Sequence, residues 1–450
     1  MIDFARYLTL ALLFAGPVSA QDGGAAERYL LRSASIPSTP AVLTISPLDG
    51  LLDEPRTITV SNLQPGELIR VTTRTERGAG RVWKSEAAYI AAADGTVDLD
   101  RDRPVSGDHG EASSEALLWS QRVLGDAKGL FPDNVLAPLN TDVRVETAHG
   151  TQAATLVQRL AAPGVVRTEV RERGLVGTLF LPPGRGPHPA VVVLNGSGGG
   201  INEPRAALYA SRGYAALALG YFKAPGLSDY ISNTPLEYFE SALDWVRDTV
   251  APRDGFVAIS GQSRGGELVL LLGSVFPEKV SAVIGYLPGA VVHGGQAAHD
   301  PAIGRNGPAW LLGGKPLPHI WENNRTASWA AREEGRRNSH SIITALQDPA
   351  AFDRARIRVE KIRAPVLLIS ATDDAAWPST FYSQLVKLQL ERAKHPWPVE
   401  HLDYEGAGHS ILLPWTPTTH TNDGTPLANA RANEDSWRGV LKFLAEATAR

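Results

Sequence analysis

Two patterns of apolar and polar positions divide the chain. In the first half, short segments alternate between apolar and polar residues, for example TITVS at 57–61 and LIRVTT at 68–73. Such alternation is typical of strands with one buried face. The dipeptide Asp94-Gly95 is a hairpin signal between further segments of this kind. The pattern predicts a small β-sandwich at 39–148, followed by a linker at 149–164.

From residue 165 onward, short apolar runs are separated by segments long enough for helices. The runs are GTLFLP, AVVVLN, YAALALGYF, FVAISG, VSAVIGYLPG, VLLISAT and EHLDYEG. Such runs are typical of parallel strands, because helices cover both faces of a parallel sheet. One segment between the runs, 236–250, carries an apolar helical stripe of Leu236, Phe239, Leu243 and Val246. The pattern predicts a doubly wound, mostly parallel α/β domain at 165–450.

The first twenty residues resemble a secretory signal peptide. They contain a single Arg, then an apolar stretch, and then Val18 and Ala20 as small residues before Gln21. The apolar stretch is too short to span a membrane. A buried N-terminal helix is the alternative. No later segment has 18 consecutive apolar residues, so we expect an exported protein, periplasmic or secreted, without a transmembrane segment.

Composition narrows the classes of function. The chain has 450 residues, of which 43% are hydrophobic, enough for two or three domains with cores of their own. The formal net charge is -4 and no block of like charges occurs, which argues against a nucleic-acid partner. The chain contains no cysteine, which excludes disulfides, thiolate catalysis and cysteine-bound metals.

A Gly-x-Ser-x-Gly pentapeptide, GQSRG at 261–265, follows one predicted buried strand and precedes a predicted helix. A serine hydroxyl is a poor nucleophile until a base removes its proton, and the base needs an acid to hold it in the right tautomer. In α/β-hydrolases this motif forms a sharp strand-to-helix turn that exposes the serine. The context predicts that Ser263 is the nucleophile.

The acid and the base of such a site are expected after later strands. The run VLLISAT leads into two adjacent carboxylates, Asp373 and Asp374. We favour Asp374 because it stands three residues after the small residue that ends the strand. The base is predicted to be His409, in a glycine-flanked loop after the last core strand. The chain order Ser263, Asp374, His409 is the order found in α/β-hydrolases.

Hydrolysis of an acyl group also needs hydrogen-bond donors for the developing oxyanion. We expect one donor to be the backbone N–H of Arg264. The others are expected from Ser197 and Gly198, in the glycine-rich loop NGSGGG at 195–200. This loop matches neither a P-loop nor a dinucleotide fingerprint, and no metal-binding spacing is present. The prediction therefore includes no cofactor and no metal.

Stretches from both halves resemble a known family. They include ISPLDGLLDEPRTITVSNLQPGELIRV, GTLFLPPGRGPHPAVVVLNGSGGG, GQSRGGELVL, ATDDAAWPS and YEGAGHSILLPW. Together they resemble the acyl-CoA thioesterase and bile acid-CoA:amino acid N-acyltransferase family, over nearly all of the mature sequence. The resemblance implies an immunoglobulin-like domain followed by a hydrolase domain. It also implies that Ser263 is the nucleophile, Asp374 the acid and His409 the base.

The resemblance also bears on the reaction. Family members that conjugate amino acids use Cys, and thioesterases usually use Ser, so Ser263 favours hydrolysis of an acyl thioester. The family commonly has Lys where this chain has Arg264. An exported carboxylesterase or amide hydrolase, and a non-catalytic envelope binding protein, remain as alternatives. Residues 293–337 are expected either to line the acyl pocket or to form a solvated insertion. The acyl chain, the leaving group and the oligomeric state are left open.

Overall fold

The computed structural model describes residues 40–123, 129–419 and 423–450. The predicted signal peptide at 1–20 lies outside these residues. Among the residues that are described, no helix is both long enough and apolar enough to cross a membrane. Two domains follow each other along the chain, a β domain and then an α/β domain.

The first domain is built almost entirely from strands. Its elements are β1 (Val42–Ser46), β2 (Asp49–Leu51), β3 (Thr57–Ser61), β4 (Leu68–Arg77), β5 (Arg81–Ile90), β6 (Val97–Asp98), β7 (Ser106–Gly107), α1 (Ala116–Trp119), β8 (Arg122–Val123), β9 (Leu139–Thr147) and β10 (Gly150–Arg159).

These strands form two sheets that face each other. One sheet has the order β1-β3-β6, and the other has the order β2-β10-β9-β4-β5-β7 with β8 also paired to β5. Ile58 and Val60 of the first sheet belong to the same buried cluster as Val71, Val143 and Val145 of the second. The predicted β-sandwich is confirmed. The order β10-β9-β4-β5 matches the G-F-C-C′ order of immunoglobulin domains.

Two expectations for this domain were wrong. The expected linker at 149–164 contains β10, which pairs antiparallel with β9 over nine residue pairs from Gly150 to Gln158. Five of its ten residues are polar and only Leu156 and Gln158 are deeply buried, so its apolar alternation is too weak to see in the sequence. The turn at Asp94-Gly95 is not a hairpin between paired strands. It connects β5 to β6 in the opposite sheet, where β6 pairs with β3.

The second domain alternates strands and helices. Its strands are β11 (Val166–Val170), β12 (Val176–Leu181), β13 (Ala190–Leu194), β14 (Ala215–Gly220), β15 (Thr234–Pro235), β16 (Val257–Gln262), β17 (Ala282–Tyr286), β18 (Trp310–Leu312), β19 (Lys315–Pro316), β20 (Val366–Ala371) and β21 (Val399–Tyr404). Its helices are α2 (Glu203–Ser211), α3 (Glu237–Trp245), α4 (Arg264–Val275), α5 (Ala330–Glu333), α6 (Asn338–Leu346), α7 (Pro349–Ala355), α8 (Ser379–Arg392) and α9 (Pro426–Thr448).

Eight of these strands form one sheet in the order β11-β12-β14-β13-β16-β17-β20-β21. β12 runs antiparallel to both of its neighbours, and the pairs from β14 to β21 are parallel. All seven predicted apolar runs are strands of this sheet. Val192 faces a core that includes α3, α4 and α8, whereas Val191 and Val193 face a second core that includes α2 and α9. Helices cover both faces, as predicted.

Asp53 of the first domain connects it to the second. Its side chain is 2% exposed. The carboxylate accepts two hydrogen bonds from the Arg212 guanidinium, at 2.8 and 2.6 Å, and one from the Trp437 indole at 2.7 Å. Arg212 follows α2 and Trp437 lies in α9, so a single buried carboxylate ties the sandwich to the helices that cover one face of the large sheet.

Candidate active site

Ser263 lies on a sharp turn between β16 and α4. Its backbone has φ 58° and ψ -118°, a strained conformation for a residue with a side chain. The flanking glycines are needed for steric reasons. A Cβ atom on Gly261 would collide with the carbonyl oxygen of Gly265, and one on Gly265 would lie 2.6 Å from the carbonyl oxygen of Asn195. This is the geometry that the Gly-x-Ser-x-Gly motif predicts.

The structure brings the three predicted residues together at one edge of the sheet. The Ser263 hydroxyl donates to Nε2 of His409, with 2.8 Å between the two atoms. The Nδ1–H group of His409 donates to the carboxylate of Asp374, at 2.9 Å from each oxygen. β16, β20 and β21 end at this edge, so loops far apart in sequence converge there. The arrangement can deprotonate a serine and stabilise the resulting imidazolium.

Asp374 and Asp373 have different surroundings. Asp374 is 5% exposed, and it also accepts the backbone N–H groups of Ala376 at 2.9 Å and Trp377 at 3.1 Å. Asp373 has a side chain that is 43% exposed, and it pairs with Arg337 at 2.6 Å. Asp374, the favoured carboxylate, is therefore the one that contacts His409. Asp373 instead pairs with Arg337.

The surroundings of His409 raise the pKa of its imidazole. Burial lowers the pKa of His409, but the charge of Asp374, its hydrogen bonds and the charge of Asp423 outweigh burial. The pKa of His409 is therefore raised above its ordinary value of 6.5. A histidine in this setting is a stronger base than free imidazole.

Asp423 is a residue that sequence reasoning missed. It is 5% exposed, and its Oδ1 atom accepts the backbone N–H groups of His409 at 2.8 Å and Ala375 at 2.9 Å. Asp423 therefore connects the loop that carries His409 to the loop that carries Asp374. No motif marks this aspartate, because its partners are backbone groups from two distant loops.

The glycine loop after β13 lies next to Ser263. A Cβ atom on Gly196 would lie 3.2 Å from the Cβ atom of Ser263. The loop is held in part by Asn195, whose Oδ1 atom accepts the N–H of Gly196 at 3.0 Å. Within the described part of the chain, the backbone N–H groups of Ser197 and Gly198 have no acceptor. They remain our predicted oxyanion donors, together with Arg264, whose N–H lies in the first turn of α4 and has no intrahelical acceptor.

The side chain of Arg264 points into the protein. It is fully buried, and it donates to Glu267 at 2.9 Å and to the carbonyl oxygen of Gly294 at 2.9 Å. The commoner lysine of the family would supply fewer donors in a less fixed geometry. This guanidinium therefore fixes the residue after the nucleophile instead of facing a substrate.

Glu267 is the centre of a buried polar cluster behind Ser263. Its carboxylate accepts hydrogen bonds from Arg264, from Nδ1 of His293 at 2.8 Å and from the indole of Trp310 at 3.0 Å. The Tyr382 hydroxyl donates to the other nitrogen of His293 at 2.9 Å. Burial raises the pKa of Glu267, but the charge of Arg264 and these hydrogen bonds outweigh it and hold the pKa below 4.5.

This cluster also shows what part of segment 293–337 does. His293 and Trp310 are fully buried beside the nucleophile turn, and β18 and β19 join β15 in a small sheet. A wholly solvated insertion is therefore excluded for this part of the segment. Arg337, at its other end, reaches the loop of the acid through Asp373. The expectation that the segment lines an acyl pocket stays a prediction.

The strand order, the strained serine turn and the order of the three residues along the chain define an α/β-hydrolase. Comparison with protein families gives a narrower class. A family model for the C-terminal region of BAAT and acyl-CoA thioester hydrolases matches residues 234–450. A second model, for the N-terminal region of the same proteins, matches residues 53–172. The chain belongs to this family.

Known relatives match over almost the whole chain. Rat acyl-coenzyme A thioesterase 1 is 28% identical over 87% of this chain and 93% of the relative. Mouse mitochondrial acyl-coenzyme A thioesterase 2 is 29% identical over 90% of this chain and 89% of the relative. Mouse bile acid-CoA:amino acid N-acyltransferase is 28% identical over 90% of this chain and 97% of the relative. Identity and coverage therefore do not separate the thioesterases from the acyltransferase.

Solved structures give weaker matches. An esterase/lipase from an uncultured bacterium has a TM-score of 0.37 at 18% identity, over 64% of this chain and 87% of that chain. An acylaminoacyl peptidase from Pyrococcus horikoshii has a TM-score of 0.41 at 13% identity, over 87% of this chain and 59% of that chain. The fold assignment rests on the strand order described above.

Proposed function

We propose that this chain is a serine hydrolase that cleaves an acyl thioester of the fatty acyl-CoA type through an acyl-serine intermediate. The observation that carries the proposal is the hydrogen-bonded chain from Ser263 through His409 to Asp374. Membership in a family of acyl-CoA thioester hydrolases supports the substrate class.

In this mechanism, Nε2 of His409 removes the proton of Ser263 as the hydroxyl oxygen attacks the thioester carbonyl. Asp374 stabilises the imidazolium that forms, and the backbone N–H of Arg264, with those of the glycine loop, donates to the oxyanion. The carbon–sulfur bond then breaks, and the thiol leaves with the proton that His409 returns. Water repeats the sequence on the acyl-serine, which releases a carboxylic acid and restores the serine.

Water is the proposed acyl acceptor, rather than an amino acid. The intermediate on Ser263 is an oxyester, which reacts with amines less readily than the thioester formed on a cysteine. The chain has no cysteine that could replace it. Hydrolysis is therefore favoured over amide formation.

The experiment is to measure thiol release from acyl-CoAs of increasing chain length, with and without glycine or taurine. We expect turnover that neither amine accelerates, with free acid as the product. Ser263→Ala should abolish turnover, and Ser106→Ala, on an edge strand of the sandwich, should leave it unchanged. Amide formation at a rate comparable to hydrolysis would contradict the proposal.

A second candidate substrate is a carboxylic ester, which the signal-like sequence at 1–20 favours. An exported enzyme would meet esters rather than cytosolic CoA thioesters. The ratio of kcat/KM for acyl-CoAs to kcat/KM for aryl esters of the same acyl chain separates the two candidates. A fluorophosphonate probe addresses the third candidate, since an unlabelled Ser263 would favour a non-catalytic binding protein.

Export of the chain to the periplasm or the medium is likewise a proposal. It is supported by the small residues Val18 and Ala20 after the apolar stretch. Cell fractionation followed by N-terminal sequencing tests it. We expect a mature chain that begins at Gln21, and an uncleaved chain in the cytosolic fraction would contradict export.

A further inference from the structure

A cavity of about 750 Å³ lies in the second domain, away from the proposed catalytic residues. It is lined by Leu271 and Val275 of α4, by segment 354–363, and by the chain that follows α8. Because α4 begins directly after Ser263, Leu271 lies about two helical turns from the nucleophile. Neither Ser263 nor His409 lines this cavity.

The inner wall of the cavity is apolar. Its apolar lining residues include Leu271, Val275, Leu312, Leu317 and Trp397. The volume falls within the range of about 300–1,000 Å³ that small-molecule sites occupy. A single alkyl chain is the kind of group that such a wall accommodates.

The lining also carries an excess of positive charge. Five basic side chains line the cavity against one carboxylate, Glu360; they are Arg354, Arg356, Arg358, Lys361 and Arg363. Two of the five have a close carboxylate partner, because Arg356 pairs with Glu360 at 3.0 Å and Arg363 pairs with Glu278.

Arg354 and Arg358 are less well neutralised. Arg358 reaches Asp353 only at 3.9 Å, and Arg354 donates to the backbone carbonyl oxygens of Glu322 and Asn323. Positive charge therefore exceeds negative charge beside the apolar wall. A ligand with an anionic head and an apolar tail would be complementary to this lining.

We propose that this cavity is a second binding site, which takes a single-chain anionic amphiphile. The alkyl chain lies against Leu271, Leu312 and Trp397, and the anionic head binds Arg354 and Arg358. The simplest such ligand is the fatty acid that the proposed hydrolysis releases, and only this choice of ligand rests on the proposed function. A long-chain alkyl phosphate shares the same chemistry.

Calorimetric titration of the full chain carrying Ser263→Ala tests the proposal without turnover. The probes are dodecanoate, dodecyl phosphate and uncharged 1-dodecanol, each below its aggregation concentration. We expect dodecanoate to bind at least about tenfold more tightly than the alcohol, since the head makes charge-assisted hydrogen bonds. Binding of dodecyl phosphate alone would support the binding site and show that its ligand carries a phosphate head. Equal binding of all three, or no binding, would overturn the proposal.

Variants locate the bound ligand. Arg354→Gln with Arg358→Gln should weaken dodecanoate binding by about tenfold, and Ala393→Phe, at the cavity wall, should block it. Lys442→Gln, an exposed cation of α9 outside the cavity lining, is the matched control. Unchanged affinity in the first two variants would place the ligand elsewhere and overturn the proposal. Failure of the proposed function would give a different result from failure of this binding site. In that case wild-type protein would bind dodecanoate but release no thiol from acyl-CoA.

Discussion

The imidazole of His293 is stacked on the indole of Trp377, with 4.9 Å between ring centroids and 29° between ring planes. His293 belongs to the buried cluster around Glu267, whereas Trp377 donates its backbone N–H to Asp374. The stack therefore connects the polar cluster around Glu267 to Asp374, the proposed acid. His293 makes both a ring stack and hydrogen bonds, and two substitutions at this position can measure their contributions separately.

His293→Phe keeps a ring against Trp377 but removes the hydrogen bonds to Glu267 and Tyr382. We expect a loss of about 1–3 kcal/mol in the free energy of unfolding, because buried polar groups lose their partner. His293→Ala should lose about 3–5 kcal/mol, since it also leaves a cavity. Urea denaturation measures both values, and equal losses would show that the stack contributes nothing.

The adjacent aspartates form a matched pair for testing the acid. Asp374→Asn should lower kcat by about 10⁴-fold, because an amide holds the histidine in the wrong tautomer. Asp373→Asn should change kcat little, since this carboxylate contacts Arg337 and not His409. Steady-state kinetics of the two purified variants decide the assignment. A larger loss for Asp373→Asn would reverse the two roles.

The raised pKa of His409 predicts the pH dependence of the reaction. The base must be neutral, so kcat/KM should rise with pH and reach half its plateau above pH 6.5. In Asp374→Asn the opposing effect of burial remains without the neighbouring charge, so the midpoint of the residual activity should fall. By linkage, the His409–Asp374 pair stabilises the fold below pH 6.5, and this contribution is lost as pH rises through the raised pKa. A wild-type midpoint below 6.5 would show instead that burial outweighs the charge of Asp374 at His409.

Glu267→Gln should destabilise the protein strongly. It leaves the fully buried guanidinium of Arg264 without its counter-ion, and breaking a buried ion pair costs about 3–5 kcal/mol. Glu267→Leu combined with Arg264→Met should recover part of the loss, because no unpaired charge remains. Thermal denaturation of the three proteins provides the comparison. A double variant less stable than Glu267→Gln would show that the cluster does not act as an ion pair.

Asp53→Ala should loosen the contact between the domains. It removes the acceptor for Arg212 and Trp437, at a cost of about 2–3 kcal/mol for hydrogen bonds that involve charge. We expect calorimetry to show two unfolding transitions in place of one coupled transition. Asp49→Ala removes an exposed carboxylate that pairs with Arg159 within the sandwich, and it serves as the control. Uncoupling by both variants would argue against a specific role for Asp53.

Prediction from sequence worked best where the pattern of burial is strong. The seven apolar runs of the second domain are all strands, because a strand covered on both faces needs apolar residues at nearly every position. It failed at β10, where half of the residues are polar and only two are deeply buried, although the strand pairs with β9 over nine residue pairs. The Asp94-Gly95 turn was identified, but not its partner, since a turn signal does not specify which sheet the next strand joins.

The proposed catalytic residues could be predicted because each one carries a local signal. Ser263 has its glycines, Asp374 follows a core strand, and His409 lies in a glycine-flanked loop. The residues that support them carry none. Asp423 holds the loops of the acid and the base through backbone N–H groups, and Glu267 looks in the sequence like any polar residue of a first helical turn.

By itself, the sequence determined the two domains, the strands of the central sheet and the order of the proposed nucleophile, acid and base. These features depend on local burial patterns and on short motifs. Only the tertiary structure decided which aspartate meets His409, where the side chain of Arg264 points and how Asp53 joins the domains. Those outcomes depend on contacts between residues far apart in the chain, whose directions are set by how the sheet and its helices pack.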